Sequence, residues 1–510
     1  MALAVAIAFF LYWRQSSIAA TNADGASIVL QASDMLHGNL LLHGWQLGDV
    51  SFYSTELPQY MLIDAVLGLG PWVVHVAAAM TYTLLVLLAA LLAKGRADGA
   101  EGITRALLAA GIIVAPQIGA TWTVLVGPDH TGTAVPLLLA WLLIDRTPPR
   151  WYAPVAVSLL LAWALVADSL VLLVAVAPLA TAGAVRPAAA WLRRRPPAWY
   201  ELWLAAAAVA AVALGWVARW IIHAAGGYHE AAVSTRTVTL GQLSRTAWVV
   251  CRAALELFGA NIFSAGHGIE NAFVVLHLIG AALVAVALVM AVARFFRTGE
   301  FVIPVLALAI VFNLVAFMVS RQGLSIADIR EIVPVMPFGA ALAGRILAKP
   351  ILALRALLVP VLALIGCGYL AALGYAAALP SAPAANASLA TWLNAHLLSG
   401  GLAEYWQANS TTLDTGDHIQ VSFAQVSNGR LVPGNWETRA QAYDPARYDA
   451  TFFAINDATA TPGALAAAVS TFGPPRWTYH TAGYTILVWN TNLLPRLISP
   501  SLQRLPAAPG

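Results

Sequence analysis

Charged side chains are scarce in this sequence. Asp, Glu, Lys and Arg make up 10% of its 510 residues and hydrophobic residues make up 60%, whereas a soluble domain carries about 25% charged residues. The shortage argues against a wholly soluble protein and indicates that most of the chain lies in lipid. Cysteine is rarer still: Cys251 and Cys367 stand in different apolar contexts, so neither a disulfide nor a cysteine metal site is expected.

The sequence also lacks the short motifs of soluble enzymes. It has no Walker loop, no Gly-x-Gly-x-x-Gly after a strand, no His/Cys set at metal-ligand spacing and no Gly-x-Ser-x-Gly elbow. A nucleotide substrate therefore has no recognisable site. Internal repeats, which are common in transporters, are not evident either.

Long apolar runs dominate the first 379 residues. A spanning helix needs about 20 mostly apolar residues, and about eleven runs approach or exceed that length. The first run, MALAVAIAFFLYWRQ, lacks the basic start and the cleavage site of a signal peptide, so we predict a transmembrane helix there. The fifth and sixth runs are separated only by the polar stretch ADS around Asp168. The runs lie at 2–20, 71–93, 103–126, 131–146, 153–167, 169–185, 199–223, 270–293, 301–319, 332–347 and 352–379.

Basic residues form five clusters that fall on one side of the membrane if these runs alternate. Cytoplasmic loops are enriched in Lys and Arg, so the N-terminus is predicted to be cytoplasmic. The external face then receives the long segments 21–70 and 224–269, the turns GPDHTG and SRQGLSIADIRE, and the C-terminal tail. The clusters are Lys94, Arg96 and Arg105; Arg146 and Arg150; Arg186, Arg193, Arg194 and Arg195; Arg294 and Arg297; and Arg345 and Lys349.

The composition changes after about residue 380. LPSAPAANAS has the composition of a linker, and the apolar runs beyond it, HIQVSFAQV, ATFFAI and YTILVW, have the length and β-branched content of strands. The sequence therefore predicts a polytopic α-helical membrane module over 1–379, followed by an extracytoplasmic α/β domain over 380–510.

Two acids follow the first run and differ in their expected roles. Asp24 precedes GASIVLQ, and taken alone its position favours a helix N-cap, because an Asp there can accept hydrogen bonds from free backbone amides. Asp34 lies roughly 80° further round the same helix. It is predicted to be a solvated or structural group, and it is also a candidate to line a cavity at the external face.

Other polar residues of the external layer are candidates to line a cavity. Asp129 and His130 form either a simple polar turn or part of that lining. Asp168 lies between two apolar runs, where an ionised group is costly unless it faces water or a partner. Tyr53, Glu56, Tyr60, His229 and Arg245 belong to the two long external segments and are further candidates.

Two external arginines are candidates for phosphate binding. Arg321 and Arg330 follow the ninth run on the face that is otherwise poor in such charges. A guanidinium there is suited to hold a phosphate through two hydrogen bonds. The alternative is an ordinary salt bridge with Asp328 or Glu331.

The order of these features resembles the GT-C superfamily of integral-membrane glycosyltransferases. The similarity is greatest to the branch that contains protein O-mannosyltransferases and the aminoarabinose transferase of lipid A. It is carried by ADGASIVLQASDMLHGN, STELPQYMLIDAVLGLG, GPDHTGTAVPLLLAWLLID, LLLAWALVADSLVLLVAVAPL and DIREIVPVMPFGAAL, and its layout covers roughly residues 1–350. Three motifs depart from the family pattern: Asp-Gly at 24–25 replaces Asp-Glu, Arg-Glu at 330–331 replaces Arg-Tyr, and Glu-Leu-Pro at 56–58 replaces Lys-Pro-Pro.

The resemblance implies an inverting transfer of a monosaccharide from a polyprenyl-phosphate donor on the external face. The acceptor would be a glycan, lipid or protein of the cell envelope, and no nucleic acid is involved. With the resemblance, Asp24 becomes the expected general base rather than only a cap. Arg330, with Arg321, would stabilise the departing lipid phosphate. Tyr405, Trp406 and Trp477 of the C-terminal domain are candidates to stack on an acceptor sugar.

The resemblance also implies the cytoplasmic membrane of a bacterium as the location. Some relatives use a divalent metal, but no ligand cluster is visible here, so no metal or other cofactor is predicted. The alternative function is a transporter or lipid flippase without sugar transfer, and a third possibility is a membrane scaffold that displays the external domain.

Overall fold

The chain forms a helical bundle followed by an α/β domain. A computed structural model describes residues 2–127, 129–231, 236–263 and 269–497, so the last thirteen positions of the predicted C-terminal domain, and parts of segment 224–269, lie outside the described residues. The helices of the bundle and its external layer are α1 (Ala2–Ser16), α2 (Ala23–Leu36), α3 (Leu57–Leu67), α4 (Trp72–Lys94), α5 (Gly99–Ile113), α6 (Thr121–Leu125), α7 (Thr131–Arg146), α8 (Tyr152–Ala167), α9 (Ala177–Leu192), α10 (Trp199–Ala224), α11 (Leu243–Leu257), α12 (Ile269–Ala293), α13 (Val302–Val319), α14 (Val335–Ala353) and α15 (Arg355–Ala378).

All eleven predicted runs contain helix. Seven helices among the described residues are long and apolar enough to cross a membrane, and an eighth is added if a bent pair counts as one span. The fifth and sixth runs are separate helical segments, because α8 ends at Ala167 and Asp168 has extended backbone angles. The number of eleven spans itself stays a prediction.

The third run is not the single helix that we predicted over 103–126. It breaks after α5, and the segment Ile118–Leu125 continues at an angle of 78°. The cause is Pro116, which has no N–H for the helix ladder and disfavours helical angles at the residue before it. Gln117 then caps the new segment by accepting a hydrogen bond from the Gly119 N–H at 2.6 Å.

Tryptophans mark both ends of α10. Trp199 and Trp203 lie in its first turns, Trp216 and Trp220 lie near its end, and all four are 66–70% exposed. Trp is enriched at the two membrane–water interfaces. At 1.5 Å per residue the outer pair is about 31 Å apart, close to the thickness of a bilayer's hydrocarbon core. This spacing indicates that α10 crosses the membrane.

Ion pairs gather at the end of the bundle that carries the basic clusters. Arg345 is almost fully buried and contacts Asp145 at 2.8 Å and Glu300 at 2.7 Å. Arg105 contacts the same Glu300 at 3.1 Å, and the Arg96 guanidinium donates to the backbone carbonyl of Asp145 at 2.6 Å. These residues come from the ends of different runs, and alternation of the runs predicts that they meet.

The C-terminal domain is a sheet covered by helices on both faces. Its helices are α16 (Ala387–Ala395), α17 (Tyr405–Asp414) and α18 (Ala464–Phe472), and the strands of the chain are β1 (Trp45–Leu47), β2 (His229–Glu230), β3 (Gly400–Ala403), β4 (Gln420–Ser427), β5 (Arg430–Pro433), β6 (Thr438–Arg439), β7 (Phe452–Asn456), β8 (Trp477–Thr481) and β9 (Tyr484–Val488). Six of these strands pair in the order β5-β4-β3-β7-β9-β8, with β3 parallel to both neighbours. Successive residues of β7 face opposite cores: Phe452 packs with α16 and α17, and Phe453 packs with α18. The predicted α/β domain is confirmed.

A second, small sheet ties this domain to the segments 21–70 and 224–269 of the bundle. Gln46 of β1 pairs in parallel with His229 of β2 and antiparallel with Thr438 of β6. One strand therefore comes from each of these two segments and one from the C-terminal domain. Helix α17 also packs against α2, so the domain is held directly over the first external segment.

Gly344 lets α14 cross its neighbours closely. A Cβ at this position would lie 2.5 Å from the backbone carbonyl of Arg105 and 2.8 Å from the Ala93 Cβ. Such small residues allow close helix contacts in lipid. Gly366 of α15 offers a contrast, because a Cβ there would meet nothing within 4 Å.

We expect Gly344→Ala to lower the thermal unfolding midpoint in detergent by several degrees, because overpacking costs about 1–3 kcal/mol. Gly366→Ala is the matched control and should leave the midpoint unchanged or slightly raised, since Ala favours helix over Gly. Equal midpoints for the two variants would contradict the close crossing.

Candidate active site

Residues from six stretches of the chain meet around one cavity of about 200 Å³. The cavity lies under the C-terminal domain, at the end of the bundle opposite the Arg345 ion pairs. It is lined by five acids, two cationic groups and four aromatic rings, which are Asp24, Asp49, Asp129, Glu331 and Glu437; His130 and Arg330; and Phe52, Tyr405, Trp406 and Trp436, with Gly48 and Val50 between them. Larger cavities of about 470 and 620 Å³ lie elsewhere, but the residues expected to carry chemistry meet in this one.

Asp24 projects from the first turn of α2 but does not cap the helix. Asn22 is the N-cap, and its side chain accepts a hydrogen bond from the Gly25 N–H at 2.8 Å. The cap interpretation of Asp24 is therefore wrong, because its neighbour already takes that role. The carboxylate stays near the positive end of the helix dipole, which favours an anion, and it is free to face the cavity.

Arg330 is the cation that lies nearest to Asp24 in the cavity lining. Its guanidinium Nη1 is 3.8 Å from Asp24 Oδ2, and its Nε is 3.9 Å from Glu331 Oε1. The side chain is 37% exposed, so it remains open to a ligand. At these distances the ion pair is loose and leaves guanidinium N–H groups available.

His130 is held against the cavity by a buried carboxylate. Its Nδ1 lies 2.6 Å from Asp168 Oδ2, and its Nε2 lies 3.7 Å from Glu331 Oε2. Burial opposes the charged imidazolium, but the attraction of Asp168 and Glu331 outweighs it and raises the pKa of His130 well above its ordinary value. His130 thus adds a second positive charge to the lining.

Asp168 supports this arrangement from behind and does not line the cavity, contrary to our expectation. Its side chain is buried and also accepts hydrogen bonds from Thr133 Oγ1 and from the Leu170 N–H, both at 2.8 Å. The cost of an ionised group between two apolar runs is thereby offset by three partners.

Burial raises the pKa values of two of the cavity acids, Asp129 and Glu437. Burial raises the pKa of Asp129 to about 7, against the opposing attraction of Arg330. Burial likewise raises the pKa of Glu437 well above its ordinary value, with a further contribution from the negative charge of Asp24. Burial in the lining therefore favours the neutral, hydrogen-bond-donating form of these two carboxyl groups.

Solved structures match this architecture, although no family model matches the chain and no curated protein does. ArnT from Cupriavidus metallidurans, solved bound to undecaprenyl phosphate, superimposes with a TM-score of 0.58 at 12% identity over 95% of this chain and 97% of that one. This chain has the GT-C fold. The similarity predicted from the sequence is confirmed at the level of the fold, and the chain is an integral membrane protein.

Archaeal structures match the GT-C fold of this chain less closely. The Archaeoglobus fulgidus oligosaccharyltransferase tethered to an acceptor peptide gives a TM-score of 0.47 at 13% identity, and AglB of the same organism, in complex with an inhibitory peptide and dolichol-phosphate, gives 0.45 at 12%. The alignments cover 82% and 96% of this chain. The chain spans only 63% of the length of the first of these and 74% of the second.

Several predicted residues of the GT-C module lie outside the cavity lining. Arg321 is exposed, and its backbone N–H bonds to the Arg236 carbonyl at 3.0 Å. Asp34 contacts Arg439 at 3.1 Å and accepts from Trp45 Nε1 at 2.8 Å, in keeping with a structural role. Arg321 and Asp34 share an end of the bundle with Asp24 but face other surroundings.

The remaining candidates from the long external segments are packing or surface residues. Tyr53 donates to the Leu40 carbonyl at 2.9 Å, Tyr60 belongs to the core under α2, and Glu56 is buried beside Gly132. Burial raises the pKa of Glu56 to about 8, although the hydrogen bond from Thr55 favours its ionised form. His229 is a strand residue stacked on His223, and Arg245 is exposed on α11.

The aromatic candidates of the C-terminal domain divide into two groups. Tyr405 and Trp406, at the start of α17, line the cavity. Trp477 lies on the edge strand β8, 42% exposed, with Arg476 over its ring at 4.3 Å. Trp477 is not part of this lining.

Five charged or aromatic residues of the lining, Phe52 among them, were not among the cavity residues predicted from the sequence. Glu331 and Asp49 carried a signal, since one adjoins Arg330 and the other follows a glycine in the first external segment. Trp436 and Glu437 carried none, because only the pairing of β6 with β1 brings them over the cavity.

Among the described residues no group of three or more His, Cys, Asp or Glu side chains is arranged to hold a metal ion, and metal independence stays a prediction.

We expect Asp168→Ala to destabilise the protein by about 3–5 kcal/mol, because it leaves His130 and two other donors buried without their acceptor. Asp98→Ala is the control, since Asp98 is exposed and its side chain caps nothing, and surface changes usually cost less than about 0.5 kcal/mol. Thermal unfolding in detergent measures both. A midpoint for Asp168→Ala equal to that of the control would contradict the buried role.

Proposed function

We propose that this protein is an inverting glycosyltransferase that moves a monosaccharide from a polyprenyl-phosphate donor to an acceptor on the external face. The observation that carries the proposal is the pairing of Asp24 with Arg330 at 3.8 Å in a cavity at one end of a GT-C bundle. The first side chain is suited to take a proton and the second to hold a phosphate. The undecaprenyl phosphate bound to ArnT supports a donor of this lipid class.

The proposed reaction is a single displacement at the anomeric carbon. Asp24 takes the proton of an acceptor hydroxyl while the oxygen of that hydroxyl forms a bond to the anomeric carbon. The bond between that carbon and the phosphate oxygen breaks, and the lipid phosphate leaves with one more negative charge. Arg330, with the nearby imidazolium of His130, stabilises this charge. Because the donor carries its own leaving group, no nucleotide is needed.

The proposed orientation has the N-terminus in the cytoplasm and the C-terminal domain outside, in the cytoplasmic membrane of a bacterium. The basic clusters support it, since Arg96, Arg105 and Arg345 meet at the end of the bundle away from the cavity. The acceptor is a glycan, lipid or protein of the cell envelope. Tyr405 and Trp406, joined by Trp436, are the aromatic rings proposed to contact its sugar.

A transporter or lipid flippase is the alternative. Transport by alternating access uses polar groups near the middle of the membrane, whereas the polar groups of this cavity gather at one end of the bundle. A membrane scaffold also has no need for a cavity lined by the charged groups of Asp24, Arg330 and His130. These observations favour chemistry over transport or display.

We expect Asp24→Asn to abolish sugar transfer in membranes supplied with polyprenyl-phosphate-linked monosaccharides, with a loss of at least about a hundredfold in rate for removal of a general base. Asp98→Asn is the matched control at the opposite end of the bundle and should retain the wild-type rate. Full transfer by Asp24→Asn would remove Asp24 as the base. A wild type that transfers no sugar from any such donor would favour transport or a scaffold.

We expect Arg330→Ala to impair use of the lipid-phosphate donor far more than Arg321→Ala, because only Arg330 lines the cavity. A lost hydrogen bond to a charged group, worth about 1.5–3 kcal/mol, corresponds to roughly a ten- to hundredfold fall in kcat/KM. Steady-state kinetics with varied donor distinguishes the two variants. A larger effect from Arg321→Ala would assign the phosphate to the exposed side of the loop.

A further inference from the structure

A hydrogen-bonded chain reaches Asp24 from the C-terminal domain. The hydroxyl of Tyr405, the first residue of α17, donates to Asp24 Oδ1. The same hydroxyl oxygen lies 2.7 Å from Glu437 Oε2. The proposed base and the two domain residues therefore form one continuous series across the interface.

Proton counting gives the chain a direction. A phenol has one proton, and Tyr405 donates it to Asp24. A second hydrogen bond at 2.7 Å then requires the proton to come from Glu437. Burial raises the pKa of Glu437, as does the charge of Asp24, and these effects outweigh the opposing attraction of Arg330. Glu437 is thus a neutral acid that donates to Tyr405, which donates to Asp24.

The backbone holds Glu437 firmly in this place. Its φ of 45° lies in the left-handed region, which a side chain-bearing residue rarely adopts. Its carbonyl accepts a hydrogen bond from Asn409 Nδ2 of α17 at 2.8 Å, and β6 begins at the next residue. A Cβ on Gly48 would lie 3.1 Å from the Trp436 ring and 3.3 Å from Glu437 Oε1, so the first external segment closely abuts this corner. Uncommon backbone angles that the surroundings impose tend to occur at functional sites.

We propose that Tyr405 and Glu437 are positioning residues for the base. In this inference, which rests on the proposed glycosyl transfer, neutral Glu437 orients the Tyr405 hydroxyl and Tyr405 fixes Asp24 through Oδ1. The other carboxylate oxygen, Oδ2, is then kept on the side of Arg330, where the acceptor hydroxyl and the donor phosphate meet. The C-terminal domain thereby completes the active site and does more than cover it.

Three variants test the chain by transfer kinetics. Tyr405→Phe removes the donor to Asp24 and is expected to lower kcat by about ten- to a hundredfold, the loss that corresponds to one hydrogen bond to a charged group, with the KM for the donor unchanged. Glu437→Leu should lower kcat in the same way. Glu437→Gln should stay within about threefold of wild type, because an amide N–H can replace the carboxyl proton toward Tyr405.

The pH profile supplies a readout that packing alone would not change. Wild-type kcat should fall at alkaline pH as Glu437 loses its proton, and this fall should be absent in Glu437→Gln. The proposal would be overturned if Tyr405→Phe had the same kcat as the wild type. It would also be overturned if Glu437→Gln lost as much kcat as Glu437→Leu. A change confined to the KM for the donor would do the same.

A spectroscopic measurement separates this proposal from the proposed function. The infrared difference spectrum of wild type minus Glu437→Gln at neutral pH should contain the carbonyl stretch of a protonated carboxyl group, shifted in Tyr405→Phe. Ionised carboxylate bands instead would overturn the chain even in an active enzyme. If the wild type shows the protonated band but transfers no sugar, the hydrogen-bonded series exists but does not serve catalysis. The failure of this proposal and the failure of the proposed function are therefore distinguishable. Unchanged thermal midpoints show that the variants fold.

Discussion

Lipid offers no partner to a polar group, and this constraint organises the whole molecule. Backbone groups inside the bilayer must bond within their own helix, so the apolar runs become helices and the charged side chains move to their ends. Because the chain crosses repeatedly, residues far apart in sequence meet at one of two polar layers. Arg345, Asp145 and Glu300 meet in one layer, and Asp24, His130 and Arg330 meet in the other.

The two layers use similar ion pairs in different ways. In the Arg345 layer the charges are close, since the Arg345 guanidinium lies 2.8 Å from Asp145 and 2.7 Å from Glu300, as in a structural clamp. In the Asp24 layer the closest Asp24–Arg330 approach is 3.8 Å, and His130 is shared between Asp168 and Glu331. Loose pairing beside a cavity leaves charge available to a ligand. Buried residues behind the lining, Asp168 above all, hold the lining side chains in place. This combination of support and openness is what a catalytic site requires.

Much of the fold was predictable because hydrophobic periodicity and charge asymmetry act locally. The break at Pro116 could also have been predicted from the sequence, because proline and the residue before it disfavour helical backbone angles. The prediction of one straight span overlooked this proline and was wrong. Alternation of the runs correctly indicated which end of the bundle holds Asp24, Asp129, His130 and Arg330. It could not indicate which way a side chain faces at that end, and so Arg321 and Arg245 were grouped with residues they do not join.

The contribution of the C-terminal domain to the site could not be predicted in the same way. Glu437 and Trp436 depend on the pairing of three short strands from distant segments, a tertiary contact with no local periodicity. Asn22 shows the same limit at short range. Asp and Asn are both good caps, and only the backbone geometry decides between neighbours. The missed and misassigned residues are therefore those whose role depends on one particular contact.

The small sheet also sets the time at which the site is completed during synthesis. Strands β1 and β6 are separated by about 390 residues, and a ribosome needs roughly 20–80 s for that length at 5–20 residues per second. Once residue 330 has been made, the bundle holds both Asp24 and Arg330, whereas Tyr405, Trp436 and Glu437 follow about 75–107 residues later. The lining of the cavity around Asp24 in a nascent chain therefore stays incomplete until the final quarter of the chain has been made and has paired with segments synthesised long before.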